Sequence, residues 1–401
     1  MEIRPILASL RKHRIPAILI VLEIALACAV LCNAVFMISQ RMATIHMGNA
    51  IDEQGISVIS LNGADPQRAA SDIPRNVAAL RGIAGAMHVA VSTGVPLDTE
   101  AAISGFTTTP DGQSTVNTAE YFIGSDGEQA LGLRLLQGRH FNADDYANGG
   151  VDGFLSTSHV MLITQSDAKR LWPGQSALGK VLYSDTGHWT VIGVVADVLA
   201  QEPAFSGSSG RYSSVFFPLR PDAVLSDYII RSAPADRDRI VREAVNVLGK
   251  LEPSAVVKGK TYAAVRSDYF ADGRSMVWML ALVCAVMLAV TAFGIVGLSS
   301  FWVGQRRLQI GIRRALGATR GNILSYFRTE NFLISSAGVL LGMALAFGIN
   351  LYLMQHYELA RLPWYYLPGG ALALWLLGQL AVLGPARRAA NVPPVVATRS
   401  A

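Results

Sequence analysis

The chain has 401 residues, of which 51% are hydrophobic and only 16% charged, and its mean hydropathy of +0.34 argues against a fully soluble protein. A net charge of +5 and a pI near 9.1 invite a nucleic-acid reading, but no basic patch interleaved with aromatics occurs in the soluble stretch 41–275, so no nucleic acid is expected as a partner. The three cysteines, Cys28, Cys32 and Cys284, all fall in long apolar runs, so none can cross-link a soluble domain.

A helical bilayer crossing needs about 20 consecutive apolar residues. The first such run, Pro16 to Ile38, follows Arg4, Arg11, Lys12 and Arg14. A cleavable signal peptide also starts with a basic flank, but this run is long and no Ala-x-Ala site closes it. Inside the run stands Glu23. A carboxyl group there is costly enough that it should be protonated or paired, and coupling to a partner helix is one expectation. Cys28 and Cys32 lie four apart on one helix face, a spacing read as packing rather than metal or redox chemistry.

Residues 41–275 then hold 20 Lys and Arg against 25 Asp and Glu, a net charge of −5, and alternate short β-like runs with amphipathic segments, as an α+β domain does. Gly55–Leu61, Ala86–Ser92, Val160–Thr164, Trp189–Val195, Ser214–Leu219 and Tyr228–Arg231 read as strands. Asp236–Leu251 reads as a helix with Ile240, Ala244, Val245 and Leu248 on one face. Gln201–Arg211 reads as a loop or a join between lobes.

Chemistry-bearing motifs in this stretch are incomplete. Gly174–Val181 resembles a phosphate-binding loop without its hydroxyl, and Ser254–Thr261 one without its first glycine; both read as turns. Asp144 and Asp145 are adjacent, so they read as a solvated turn rather than a paired acid and base. The seven histidines are dispersed, and no His-Glu-x-x-His, Cys-x-x-Cys or Gly-x-Ser-x-Gly pattern occurs. No catalytic residue, metal ligand or cofactor is expected.

Three further apolar runs follow: Met276–Val303, Phe332–Met354 and, shortest, Tyr366–Leu383. The loop 304–330 between the second and third carries six arginines and one acid, Glu330, and the tail adds Arg387, Arg388 and Arg399. Cationic short loops resist translocation, so these segments and the amino-terminal flank belong in the cytoplasm, and the acidic stretch belongs outside. The expected architecture is four transmembrane helices with a large α+β extracytoplasmic domain inserted between helices 1 and 2. Its parts are 1–40, 41–275 and 276–401. In the third run Gly338 and Gly342 form a small-xxx-small face suited to close helix packing.

The loop reads Gln305-Arg-Arg-Leu-Gln309-Ile310-Gly311-Ile312-Arg313-Arg314-Ala315-Leu316-Gly317-Ala318-Thr-Arg320, and this resembles the cytoplasmic signature of FtsX-like and MacB-like ABC transporter permeases. The tail from Pro385 is similar to that family's ending. Leu136–Phe141 and Ser166–Val198, with Leu171-Trp-Pro173 and Val191–Val195, are similar to the MacB-type periplasmic core domain. The resemblance implies an inner-membrane permease of the mechanotransmission type. A separate cytoplasmic ATPase would bind the ATP, and movement of the periplasmic domain would drive efflux. A second permease copy or related permease, a periplasmic adaptor and membrane lipid are the other implied partners. Gln309 stands where the family usually has Glu, and Val396 and Thr398 replace the usual Glu and Leu, which leaves homodimer and heterodimer both open.

Residues 310–318, which end at Ala318, suit docking on the ATPase: Ile310, Ile312, Ala315 and Leu316 as an apolar edge, Arg313 and Arg314 toward acidic or carbonyl groups, and Gly311 and Gly317 for close backbone approach. The alternative from a different class is a membrane sensor with a ligand-binding outer domain. Only about 18 residues follow Leu383, too few for a signalling module of the kind such sensors carry.

Overall fold

The computed structural model describes residues 14–98, 102–112, 116–152, 155–184, 187–200, 210–220, 227–357 and 361–391. Two compact units divide the chain: Met1–His46 with Asp272–Ala401, and Met47–Ala271. The first unit opens with helix α1 (Arg14–Ile45) of 32 residues. At about 1.5 Å rise per residue it is longer than the roughly 30 Å hydrocarbon core.

The second unit runs β1 (Ile56–Asn62), α2 (Ala69–Arg81), β2 (Ala86–Ser92), β3 (Ala102–Phe106), β4 (Val116–Ile123), α3 (Gly127–Leu131), β5 (Leu135–Gly138), α4 (Ala143–Ala147), β6 (Val151–Asp152) and β7 (Leu155–Ser156). It continues through β8 (Val160–Thr164), α5 (Gln165–Leu171), β9 (Val181–Ser184), β10 (Gly187–Val195), β11 (Ser214–Pro218), β12 (Asp227–Ser232), α6 (Arg237–Leu251), β13 (Val256–Thr261) and α7 (Tyr262–Tyr269). One mixed sheet has the order β13-β1-β12-β2-β4-β11-β8-β10-β5, with β3 on β4 and β9 on β10.

A core that holds Ile56, Val58, Ala90, Tyr121, Leu162 and Phe216 spans the whole sheet, and each half of the sheet adds a core of its own. In one, α6 lays Ile240, Ala244 and Leu248, all fully buried, among Ile59, Val89, Tyr228 and Ile230. Gly259 of β13 allows this approach, because a Cβ there would stand 2.7 Å from both Val241 and Val245. In the other half Trp189 packs edge-on to Phe106 and Phe217, with centroids 5.6 and 5.7 Å away, and such pairs add about 0.5–1.5 kcal/mol beyond their burial. The halves join where β2 meets β4 through the single register pair Ser92–Ile123.

The six strands and the helix read from the sequence are all present, within two residues at each end. Missed were β3, β4, β5, β6, β7, β9 and β13. Ser254–Thr261 is mostly strand β13 rather than a turn, and its Gly259 serves helix packing. Gly174–Val181 is a turn with Gly174 and Gly179 at φ +72° and +75°. Asp144 and Asp145 lie on the one-turn helix α4, where Asn142 accepts from Asp145 N at 2.9 Å and Asp145 accepts from Asn142 N at 2.8 Å. That capping box replaces the solvated turn. Most of Gln201–Arg211 falls at residues 201–209, outside the described residues.

The first unit resumes with α8 (Ala271–Gln305), α9 (Arg307–Ala315), α10 (Arg320–Tyr357) and α11 (Tyr366–Ala390). Helices α1, α8, α10 and α11 are each long and apolar enough to cross a membrane. The segment 304–330 is not a loop: it is α9, a short turn and the first three turns of α10. Against α1, a Cβ on Gly338 would stand 2.8 Å from Ile24 Cβ, and one on Gly342 would stand 2.7 Å from Ala25 O. Gly342 faces Cys28 and Gly370 faces Cys32, so each cysteine seats against the glycine of a different helix.

Candidate functional site

Helix α9 begins where Arg306 breaks the line of α8 at φ −100°, ψ 10°. Its guanidinium, nearly buried, donates from Nη1 to both oxygens of Glu330 on α10 at 3.1 Å and lies 5.6 Å from the Trp302 ring. One turn on, Ile310 is 6% exposed and joins the cluster that contains Trp302, Val303, Ile323, Phe327 and Ala389. Next come Arg313, its guanidinium 5.0 Å over the Tyr326 ring, and Arg314, which donates to Ala390 O at 3.0 Å. One face of α9 is thereby tied to α10 and α11.

The opposite face carries Leu308, Ile312 and Leu316, which are 46%, 48% and 84% exposed. Their four-residue spacing makes an apolar stripe. The helix ends in a Schellman motif: Gly317, at φ +97°, donates to Arg314 O at 3.1 Å and Ala318 to Arg313 O at 3.0 Å. Glycine is required at 317 by its φ, since nothing lies within 4 Å of a built Cβ. Thr319 Oγ1 then accepts from Asn322 N at 3.2 Å and starts α10.

The apolar edge expected of Ile310, Ile312, Ala315 and Leu316 therefore divides. Ile310 is an anchor, Ile312 and Leu316 are presented, and Leu308 joins them unforeseen. Gly311 is buried, Ala315 exposed and Ala318 half-buried. Arg313, read as a docking group, is exposed beside the Tyr326 ring, and Arg314, read likewise, is half-buried with a bond to Ala390 O. Arg306 and Glu330 were counted in the loop but not seen as a pair, because their contact spans 24 positions.

Inside the helical unit, Glu23 of α1 packs at Gly294 of α8, where any Cβ would strike the carboxyl group. Asn33 donates to Ala29 O at 3.0 Å and to Ala346 O of α10 at 3.2 Å, a polar helix contact of the kind small-residue faces accompany. A single Asn in an apolar run was the available signal.

In the other unit, the residues that follow α1 are held by the residues that precede α8. Arg266 on α7 donates to Glu53 Oε1 and to Met47 O, both at 2.6 Å. Asn49 donates to Tyr262 OH at 3.3 Å and accepts from Leu199 N at 3.3 Å, and Tyr212 OH donates to Gly48 O at 3.1 Å. Two buried carboxyl groups stand apart from this clamp. Burial pushes Asp167 up to about 6, against hydrogen bonds from Ser213 and Thr164 and the charge of Arg170. Burial also pushes Glu120 on β4 up to about 7, which the Ser104 hydroxyl only partly opposes. Neither Glu120 oxygen has a partner of normal hydrogen-bond geometry among the described residues. Among those residues no cluster of three or more His, Cys, Asp or Glu could hold a metal ion.

Two family descriptions match the chain: "MacB-like periplasmic core domain" over residues 24–259 and "FtsX-like permease C-terminal" over residues 281–394. The "Macrolide export ATP-binding/permease protein MacB" of Chromobacterium violaceum is 26% identical over 295 residues, covering 70% of this chain. The chain spans only 43% of that protein's length. The "Uncharacterized ABC transporter permease YknZ" of Bacillus subtilis is 24% identical over 421 residues, 99% of this chain and 98% of that one. Among solved structures, the periplasmic region of MacB from Actinobacillus actinomycetemcomitans aligns at TM-score 0.38 and 14% identity, over 54% of this chain and 92% of that one. Four membrane-length helices and an α+β extracytoplasmic domain inserted between the first two complete the arrangement. The chain belongs to the ABC transporter permeases of the MacB and YknZ type, which join a MacB-like periplasmic core domain to an FtsX-like permease domain.

Proposed function

We propose that this permease couples ATP hydrolysis by a separate cytoplasmic ATPase to movement of its extracytoplasmic domain, and so drives export of a substrate across the cell envelope from the inner membrane. The observation that carries this reading is α9: a short helix fastened on one face by Arg306, Ile310, Arg313 and Arg314 and bare on the other at Leu308, Ile312 and Leu316. An amphipathic helix with anchors at i, i+4 and i+8 is the form that docks in a groove of a partner. Its rigid attachment to α10 and α11 gives a push on the stripe a route into the long helices.

The clamp of Arg266 on Glu53 and Met47 supports the second half of the reading. Both chain connections to the outer domain enter one hydrogen-bonded patch, so displacement of either would be passed to the domain rather than absorbed by a slack linker. We place α9 in the cytoplasm because segment 304–330 and the tail are rich in arginine. ATP would be bound by the partner alone, and two permease chains, alike or related, would share two ATPase copies.

The test is co-purification with a cytoplasmic ABC ATPase co-expressed with the permease. Ile312→Asp with Leu316→Asp is expected to lower recovery of the complex at least tenfold, while the permease itself stays folded in the membrane. Undiminished complex would overturn the reading and leave the stripe as a surface that rests in the headgroup layer.

A further inference from the structure

A groove of about 440 Å³ runs between α10 and α11. Gly321, Ser325, Arg328, Thr329 and Phe332 line it from α10, and Gln379 lines it from α11. It lies at the end of the helical unit where Arg314 meets Ala390. Its chemistry changes along its length. Before Phe332 the lining is mixed, with Leu324 among Gly321, Ser325, Arg328 and Thr329, and from Phe332 onward α10 is the apolar run read as a span. There the Phe332 ring stacks on Trp375 of α11, with centroids 5.8 Å apart and planes at 20°. A change from polar to apolar marked by an aromatic pair is the character of a membrane–water interface.

The groove is also cationic. Arg328 is exposed, and its guanidinium has neither an acid nor a hydrogen-bond acceptor among the described residues. Glu330, the acid nearest in sequence, is held by Arg306. Arg320, Arg387 and Arg388 are exposed at the same end. Gln379 donates one amide hydrogen to Arg328 O at 3.4 Å, which leaves the other for a ligand.

We propose that this groove binds one anionic phospholipid, its phosphate against the Arg328 guanidinium and the Gln379 amide and an acyl chain along Phe332 and Trp375. Basic pockets between membrane helices suit anionic headgroups. A soluble phosphate would make no use of the exposed Phe332 ring, and a zwitterionic lipid would make little use of the uncompensated arginine. The site requires only that α10 and α11 cross a bilayer; the leaflet is the cytoplasmic one on the orientation proposed above. It does not depend on the ATPase.

The experiment is photo-crosslinking of the full-length permease, without ATPase, in phosphatidylcholine nanodiscs containing a trace of photoactivatable phosphatidylglycerol or photoactivatable phosphatidylcholine. The labelled peptides are then mapped. Labelling by phosphatidylglycerol is expected to concentrate on residues 321–332 and 375–379. It should fall at least fivefold in Arg328→Ala and survive in Arg328→Lys. Gly321→Leu provides a second variant: a Cβ there meets nothing nearer than Thr319 Oγ1 at 3.8 Å, so the added side chain fills the groove without disturbing the helix. Its labelling should fall likewise.

Equal labelling by the two lipids, or undiminished labelling in both Arg328→Ala and Gly321→Leu, would overturn the proposal. So would an equal fall in Arg320→Ala, which would mean diffuse attraction to charge. Loss of labelling on adding millimolar inorganic phosphate would overturn it in favour of a soluble ligand, and protection of the groove on dimerisation would overturn it in favour of a second copy.

Discussion

Arg306 and Glu330 form an ion pair at the join of α8 and α9 with α10, their side chains 10% and 2% exposed. Arg306 Nη2 has no hydrogen-bond partner among the described residues, so Glu330 carries much of the compensation for a buried guanidinium. Breaking a buried pair from one side costs about 3–5 kcal/mol, because the other charge is left uncompensated. Glu330→Gln should therefore lower the thermal unfolding midpoint of the purified permease by several degrees. It should also weaken ATPase recovery although Glu330 lies off the exposed stripe. Reversal of both charges should restore part of each loss; if the reversed pair behaves as badly as either single change, the pair does not position α9.

The glycines of α10 give a graded test of the α1 contact. Gly342→Ala would place a Cβ 2.5 Å from Cys28 Cβ and 2.7 Å from Ala25 O, against backbone that cannot yield without parting the helices. Overpacking of this kind costs roughly 1–3 kcal/mol. Gly348→Ala on the same helix meets nothing within 4 Å and should be neutral. Membrane-fraction yield and melting temperature of the two variants should separate clearly, and equal behaviour would count against the packing described.

At the base of the outer domain, Arg266→Ala removes the donors to Glu53 and to Met47 O together. The Arg266–Glu53 pair is partly exposed, so its stability contribution is modest, about 1 kcal/mol or less. The larger effect should be mechanical: transport should fall severalfold while ATPase binding is kept. Loss of both in parallel would mean a general folding defect.

Glu120 sets a pH dependence whose sign follows from its burial. Its carboxyl group titrates near 7 in the folded domain against 4.5 for an unperturbed glutamate, so between those values the unfolded chain has released a proton that the folded chain retains. Stability is therefore full below about 4.5, declines as pH rises through that window, and levels off above about 7. The decline amounts to about 3 kcal/mol at 1.36 kcal/mol per pKa unit. Glu120→Gln should flatten this part of the curve for the purified full-length protein and raise its melting temperature at pH 8. A wild-type curve with no slope between pH 5 and 7 would contradict the assignment.

The sequence determined what depends on neighbours along the chain. Apolar runs of about bilayer length announce four membrane-length helices, and the 3.6-residue period of Ile240, Ala244 and Leu248 announces α6. Short apolar runs that include β-branched residues announce β2, β8 and β10. Strand β4, with Asn117 and Glu120, and strand β3, with Gly105, lack that local signature and are strands because of the partners that the sheet supplies.

Only the tertiary structure decided which way side chains with equal sequence credentials would face. Ile310 and Ile312 are two positions apart in one motif, yet one is 6% and the other 48% exposed, because α10 and α11 close over a single face of α9. The same closure sets Arg306 against Glu330, Arg314 against Ala390 and Gly342 against Cys28. Each contact joins residues from different helices, and spacing along the chain encodes a helix's faces but not the neighbour that will cover one of them.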